Sequence, residues 1–141
     1  MPAVQTRDYI FGYTILNDVS ARDVQTAHKQ WYFGKSLDGF TPIGPCIVTA
    51  DAFADYPPRL GIRSFVNGEK RQDSNTALQI FDIDHVIAEL SQGMTLEAGT
   101  IIATGTPAGV GMGMDPPQFL KPGDVVRCEI DGIGTLTNPV K

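Results

Sequence analysis

Short apolar runs separated by glycine and proline make up most of this chain. The 141 residues include 15 Gly and 10 Pro, which punctuate the apolar positions at near-regular spacing. Runs of this kind, bounded by turn-forming residues, are typical of β-strands. The predicted strands are residues 13–16, 45–50, 60–66, 69–72, 77–81, 100–104, 125–130 and 133–137. The pattern therefore predicts a mostly β fold with short helices, arranged as a roll.

Tight turns and one buried strand are the clearest elements of this pattern. Apolar and polar residues alternate over residues 60–66, and Asn67-Gly68 then supplies a two-residue turn that favours left-handed backbone geometry. Asp131-Gly132 predicts a second hairpin turn. The Thr-Ile-Ile-Ala-Thr run at residues 100–104 predicts a buried strand, whereas the polar run at residues 73–76 predicts a loop.

Two short helices are predicted from their capping residues. Ser20 suits the N-cap of a single helical turn at residues 21–25. Asp84 suits the N-cap of a helix over residues 85–92, which Gly93 would end.

Composition and charge narrow the class of protein. The length suits one modest domain over residues 1–141. The net charge of −5, with no cluster of Lys and Arg, argues against a nucleic-acid partner. No apolar run approaches the length of a membrane span, so no membrane association is expected. The first eight residues lack the apolar segment of a secretory signal, and a cytoplasmic location is predicted.

Residues 12–38 carry the densest group of functional side chains. Asp18 follows the first predicted strand, near a helix start where the positive end of the dipole favours anions. Arg22 and Gln25 are spaced i, i+3 and so lie on one face of the predicted helical turn. Lys35 follows in a Gly-Lys-Ser turn. Residue chemistry alone leaves two interpretations open, a functional site or an ordinary set of turn and surface residues.

A glycine-rich loop at residues 105–113 follows the predicted buried strand. It lacks the Gly-Lys-Ser/Thr ending of a P-loop, and Met114 stands where the dinucleotide fingerprint needs its third Gly. A nucleotide-binding module is therefore disfavoured. Such a loop still lets backbone N–H groups approach an anion, and Thr106 would add a hydroxyl for a substrate carboxylate or enolate. A plain surface loop is the alternative.

Six ordered blocks cover nearly the whole chain and together resemble the fumarylacetoacetate hydrolase family. They include Asn-Asp-Val-Ser-Ala-Arg-Asp-Val-Gln at 17–25, Trp-Tyr-Phe-Gly-Lys-Ser-Leu-Asp at 31–38 and Pro-Ile-Gly-Pro at 42–45. The others are Val-Asn-Gly-Glu at 66–69, Thr-Gly-Thr-Pro-Ala-Gly-Val-Gly at 104–111 and Phe-Leu-Lys-Pro-Gly-Asp at 119–124. Several ordered blocks are far more specific than any one of them. In pattern the chain is most similar to acylpyruvate hydrolase and 2-hydroxyhepta-2,4-diene-1,7-dioate isomerase members.

The resemblance implies an α+β fold of mixed β-sandwich roll type and an enzyme acting on 2-oxo or β-dicarbonyl acids. The implied chemistry is C–C bond cleavage, tautomerisation or decarboxylation through a metal-stabilised enolate. The implied cofactor is Mg²⁺, or Mn²⁺ or Ca²⁺, held by three carboxylates.

Five residues match functional positions of the family. Asp18 and Lys35 match catalytic positions: Asp18 the family's third metal-binding carboxylate, and Lys35 the lysine beside the metal. Arg22 and Gln25 match substrate contacts, and Thr106 matches the threonine that meets the substrate's oxygen atoms.

The family's other two metal ligands, a Glu-x-Glu pair before the Asp18 block, have no counterpart. The four glutamates of this chain all follow Asp18, and no two of them are two residues apart. The resemblance therefore implies the C-terminal portion of the catalytic domain, truncated on its N-terminal side. We expect this chain alone to hold Mg²⁺ weakly, and a further chain or an upstream segment to supply the missing glutamates. Exposed core surface predicts a homodimer or larger assembly. The alternative to an active enzyme is a catalytically incomplete subunit or fragment.

Overall fold

The computed structural model describes residues 3–27 and 29–141 as mostly β-sheet with short helices. Within these residues, six strands form two antiparallel sheets, one of two strands and one of four. The strands are β1 (Gly12–Leu16), β2 (Ile43–Thr49), β3 (Gly61–Val66), β4 (Glu69–Asn75), β5 (Val125–Ile130) and β6 (Gly134–Pro139). The α-helices are α1 (Arg22–Ala27) and α2 (Ile83–Gly93). The predicted fold class is confirmed, and the single domain over residues 1–141 stays a prediction.

Met1, Pro2 and His28 lie outside the described residues. The first two belong to the stretch predicted not to be a secretory signal, and His28 belongs to the motif-rich stretch 12–38. In the remainder of the chain, no helix is both long enough and apolar enough to cross a membrane.

The four-stranded sheet has the order β4-β3-β5-β6 and contains the predicted hairpin. Its turn at Asn67-Gly68 has φ angles of 53° and 85°, a left-handed conformation that asparagine and glycine adopt readily. Pairing extends further than predicted, because Asp73 lies opposite Arg63. The loop predicted for residues 73–76 is therefore wrong for most of its length. Pairing with β3 outweighs the low strand propensity of this polar run.

The core lies where the two sheets meet. Ile15 of β1 packs with Ile133 and Leu136 at β6, and all three are buried. Strand β2 also contacts β6, where a Cβ at Gly134 would lie 3.2 Å from Pro45 Cγ. The two-stranded sheet is thus fixed against the edge strand of the larger sheet. Asp18, which follows β1, is positioned by this contact.

Few apolar side chains are buried. Among the described residues, five apolar side chains are buried and sixteen large ones are exposed. An exposed apolar surface of this size is typical of surfaces that contact other protein segments.

Two of the predicted strands are absent from the described sheets. Residues 100–104 have no strand assignment, and Ile101 is 56% exposed rather than buried. Residues 77–81 begin within a 3-10 helix, Thr76–Leu78, and then continue without regular structure. An apolar run becomes a strand only where a neighbouring strand pairs with its backbone donors and acceptors. No described strand pairs with either run.

Helix α1 begins at Arg22, one residue later than predicted. Because the helix begins at Arg22, Ala21 rather than Ser20 precedes its first residue, and the predicted capping position of Ser20 is wrong. The Ser20 hydroxyl donates to the Asp18 carbonyl at 3.2 Å. The backbone N–H of Ala21 instead donates to the carbonyl of Gly34 at 2.9 Å.

Helix α2 begins earlier than predicted and is capped by Asp82 rather than Asp84. Asp82 Oδ1 accepts a hydrogen bond from the His85 backbone N–H at 2.7 Å. The Asp84 carboxylate accepts hydrogen bonds from the hydroxyls of Tyr56 and Thr6. These bonds connect Asp84 to Tyr56 and to the 3-10 helix Ala3–Tyr9, so its carboxylate does not cap α2.

We predict that Asp82→Ala lowers the free energy of unfolding by about 1 kcal/mol, the usual cost of losing an N-cap side chain. Urea denaturation of the two proteins measures the difference. Asp55→Ala, at an exposed carboxylate outside any helix, is the matched control and should leave the midpoint nearly unchanged. Equal effects of the two substitutions would contradict the capping role.

Candidate functional site

Asp18 and Lys35 form an ion pair at the end of β1. Lys35 Nζ donates to Asp18 Oδ2 at 2.5 Å. The Asn17 N–H donates to the Pro42 carbonyl at 2.9 Å, which ties the chain before Asp18 to the start of β2. The side chains are 26% exposed for Lys35 and 42% for Asp18, so solvent and a small ligand can reach both. Exposed pairs of this kind contribute only about 0–1 kcal/mol to stability.

Gly34 holds Lys35 beside helix α1. A Cβ at position 34 would lie 2.8 Å from the Gln25 backbone nitrogen and 2.9 Å from the Ala21 carbonyl oxygen. Both atoms belong to the backbone and cannot move aside as a side chain would. Glycine therefore allows the 3-10 helix Phe33–Lys35 to lie directly against α1. This contact delivers the Lys35 side chain to Asp18.

Arg22 and Gln25 meet on one face of α1, as their spacing predicts. Arg22 Nη1 donates to Gln25 Oε1 at 2.9 Å, and the Gln25 side chain is buried. Gln25 thereby fixes one nitrogen of the guanidinium. A role for either residue in binding substrate stays a prediction.

Thr106 is held from the other sheet. Gln72 of β4 donates from Nε2 to Thr106 Oγ1 at 2.8 Å and to the Pro107 carbonyl at 2.7 Å. Ser64, which lies opposite Gln72 on β3, donates its hydroxyl to Gln72 Oε1 at 2.7 Å. Thr106 is an exposed residue of this loop.

The structure brings the predicted residues together in two groups. Asp18, Arg22, Gln25 and Lys35 lie on β1, α1 and the 3-10 helix packed against α1. Thr106 lies on the loop that Gln72 holds to the four-stranded sheet. Over residues 3–27 and 29–141, no hydrogen bond or ion pair joins Thr106 to the first group.

Sequence reasoning missed Gln72 and the packing role of Gly34. Gln72 lies 34 positions before Thr106, and no local pattern shows which loop a strand residue will reach. The position of Gly34 directly before Lys35 was visible in the sequence. Its packing role was not, because the sequence does not show that α1 lies against position 34.

Asp18 alone does not make the three-carboxylate Mg²⁺ site that the resemblance implies. In the part of the chain that the structure describes, no group of three or more His, Cys, Asp or Glu side chains is placed to hold a metal ion. The Asp18 carboxylate faces an ammonium group. The described residues therefore do not fit a complete magnesium site.

Comparison with known proteins identifies the family. The family model for the C-terminal part of fumarylacetoacetate hydrolase matches residues 1–141. The chain belongs to the fumarylacetoacetate hydrolase family. This confirms the resemblance seen in its motifs.

Relatives of this family member include tautomerases and isomerases. The oxaloacetate tautomerase YisK of Bacillus subtilis is 53% identical over 133 residues, which cover 94% of this chain and 44% of the relative. A fumarylacetoacetate hydrolase of Exiguobacterium antarcticum superposes with a TM-score of 0.95 at 52% identity, over 100% of this chain and 50% of that one. A 2-hydroxyhepta-2,4-diene-1,7-dioate isomerase of Mycobacterium marinum superposes with a TM-score of 0.87 at 47% identity, over 99% and 51% of the two chains.

The chain spans about half the length of these relatives. The superpositions confirm that its mostly β fold is the one found in this family. The comparisons make it a relative of isomerases and tautomerases, and its own substrate is a matter for proposal.

We predict that Gly34→Ala lowers the free energy of unfolding by about 1–3 kcal/mol, because the added methyl group overlaps backbone atoms of α1. The same substitution should move Lys35 away from Asp18. Gly93→Ala is the matched control, because a Cβ there meets no atom within 4 Å. Urea denaturation of both variants checks the prediction, and an unperturbed Gly34→Ala protein would refute the close contact.

Proposed function

We propose that this chain carries part of the active site of a metal-dependent enzyme that acts on 2-oxo or β-dicarbonyl acids. Keto–enol tautomerisation of a small 2-oxo acid such as oxaloacetate is the leading reaction. Hydrolytic C–C cleavage and decarboxylation pass through the same kind of enolate and stay within the proposal. The observation that carries it is the solvent-accessible Lys35–Asp18 pair at the end of β1.

The ion pair suits enolate chemistry because negative charge develops on one oxygen. In the keto-to-enol direction, a base supplied by solvent or by a segment outside the described residues takes a proton from the carbon next to the carbonyl. The electron pair moves onto the carbonyl oxygen, which then takes up a proton from solvent. An ammonium group held at that oxygen stabilises the charge as it forms. Lys35 is assigned this role. Asp18 orients Lys35 through the ion pair, and the contact between Gly34 and α1 limits how far the lysine backbone moves.

The other assigned residues recognise the substrate. Arg22 suits a carboxylate, because a guanidinium forms charge-assisted hydrogen bonds with planar anions. Its bond to the buried Gln25 restricts its orientation. Thr106 is assigned to a substrate oxygen.

The proposed cofactor is Mg²⁺, with Mn²⁺ or Ca²⁺ as substitutes. Asp18 is assigned as one ligand, and the remaining carboxylates would come from outside the described residues. The described residues alone do not form a complete magnesium site. The roles given above to Lys35, Arg22 and Thr106 therefore involve no metal-bound step.

A catalytically incomplete subunit or fragment is the second candidate. It is supported by the lack, among the described residues, of three His, Cys, Asp or Glu side chains grouped to hold a metal. The chain also spans about half the length of its relatives. The exposed apolar side chains support association into a homodimer or larger assembly, or with a chain that supplies the missing glutamates. A single domain and a cytoplasmic location stay predictions.

We predict that Lys35→Ala and Asp18→Ala each lower the turnover of oxaloacetate, assayed with added Mg²⁺, by about a hundredfold or more. Removing a group that stabilises developing charge has an effect of this order. The free energy of unfolding should change by less than about 1 kcal/mol, since the pair is partly exposed. Enol formation is followed by ultraviolet absorbance, and acylpyruvate cleavage is assayed in parallel.

Lys70→Ala is the control for this experiment, because Lys70 also forms a lysine–aspartate ion pair, with Asp73 on β4, although its side chain is more exposed than that of Lys35. It should leave turnover unchanged. A folded parent protein without turnover of either substrate would support the incomplete subunit. Full activity in Lys35→Ala would reject the assigned chemistry.

We predict that the 141-residue chain by itself binds Mg²⁺ weakly, because one carboxylate does not displace the tightly held water of this ion. Isothermal titration calorimetry with MgCl₂ measures the affinity, and Asp18→Ala should abolish the remaining heat. Tight binding of one ion per chain would show that the site is complete without further ligands.

A further inference from the structure

Gln72 connects the four-stranded sheet to the loop that carries Thr106. Its position is determined by β4, and Ser64 on the neighbouring strand holds its side-chain oxygen. Its side-chain nitrogen reaches two oxygens of the loop, Thr106 Oγ1 and the Pro107 carbonyl. The amide is therefore bound at both ends.

The Pro107 carbonyl determines which end of the amide faces the loop. A carbonyl oxygen only accepts hydrogen bonds, so the NH₂ group of Gln72 must face it, at 2.7 Å. The second hydrogen of that NH₂ group points to Thr106 Oγ1, at 2.8 Å. The side-chain oxygen faces the Ser64 hydroxyl, which donates to it. All three contacts agree on one amide orientation.

This orientation determines what the Thr106 hydroxyl can do. A hydroxyl has one hydrogen to donate and two lone pairs that accept. Because Thr106 accepts from Gln72, its own hydrogen is directed elsewhere. We infer that Gln72 is a positioning residue, which sets Thr106 as a hydrogen-bond donor toward an anionic oxygen of the substrate, a carboxylate or an enolate. This inference rests on the proposed function for the identity of the ligand.

The loop has a second attachment that does not involve Gln72. A Cβ at Gly109 would lie 2.0 Å from the carbonyl oxygen of Arg71, so the loop backbone lies directly on β4. The Arg71 guanidinium donates to Gln118 Oε1, and to Met114 Sδ at 2.9 Å. A change at Gln72 is therefore expected to alter the direction of the Thr106 hydroxyl while the loop stays in place.

Gln72→Glu reverses the hydrogen bond in nearly the same volume. The introduced carboxylate only accepts, so it loses the hydrogen bond to the Pro107 carbonyl, while Thr106 turns its hydrogen toward it and no longer donates to a ligand. The probe is oxalate, a planar dianion that resembles the enolate of a 2-oxo acid. It is titrated with Mg²⁺ present into the full polypeptide as it is expressed. Binding should weaken about tenfold or more, which corresponds to losing one hydrogen bond to a charged group.

Variants at Thr106 separate positioning from a merely structural role. With Thr106→Val, which removes the hydroxyl and keeps the shape, Gln72→Glu should weaken oxalate binding less than about twofold further, because no hydroxyl remains to be turned. With Thr106→Ser, which restores the hydroxyl, the full effect should return. Equal weakening in the parent and in Thr106→Val would overturn the inference, since general charge repulsion or loop damage acts without the hydroxyl.

A measurement without ligand keeps this test independent of the proposed function. Three-bond NMR couplings of Thr106 should indicate a single χ1 rotamer in the parent protein and an average over rotamers in Gln72→Leu. An unchanged rotamer in Gln72→Leu would overturn the positioning role. The Thr106 rotamer could change in Gln72→Leu while the parent protein neither binds oxalate nor turns over oxaloacetate. That result would uphold the positioning role of Gln72 and reject the proposed function.

Discussion

The candidate site depends on a contact between two backbones, that of Gly34 and that of helix α1. The distances leave no room for a side chain at position 34, because the atoms in the way are a backbone nitrogen and a carbonyl oxygen. A hydrogen bond from the Ala21 N–H to the Gly34 carbonyl joins the same two backbones. Its consequence is chemical, since it places a lysine next to the aspartate at the end of β1.

The two halves of the proposed site are supported by different sheets. The ion pair depends on β1, which pairs with β2 and packs on the edge strand β6 around Ile15 and Leu136. Thr106 depends on β4 through Gln72. β1 and β4 belong to two separate antiparallel sheets. Polar side chains from distant parts of the chain are thus held by two different sets of strands. The side chains of Lys35 and Thr106 are thus each positioned by packing and hydrogen bonds of their own sheet.

Limited burial and an unpaired apolar segment occur together among the described residues. Many large apolar side chains there face outward. The run at residues 100–104 has the composition of a buried strand but no partner among the described strands. An apolar segment of this kind becomes stable when another segment covers it, because its backbone polar groups then find partners and its side chains leave water.

The sequence by itself determined the family and several of the local elements. Asn67-Gly68 predicts its hairpin because these two residues adopt left-handed φ angles at little cost. The alternating run at residues 125–130 likewise predicts β5, and the ordered motifs predict the fumarylacetoacetate hydrolase family and nominate Asp18 and Lys35. Only the tertiary structure decided which polar groups meet. It assigned the cap of α2 to Asp82 because Asp84 is bound to Tyr56, and it left residues 100–104 unpaired. It also connected Gln72 to Thr106, since contacts between distant residues arise from chain packing, which local propensity does not encode.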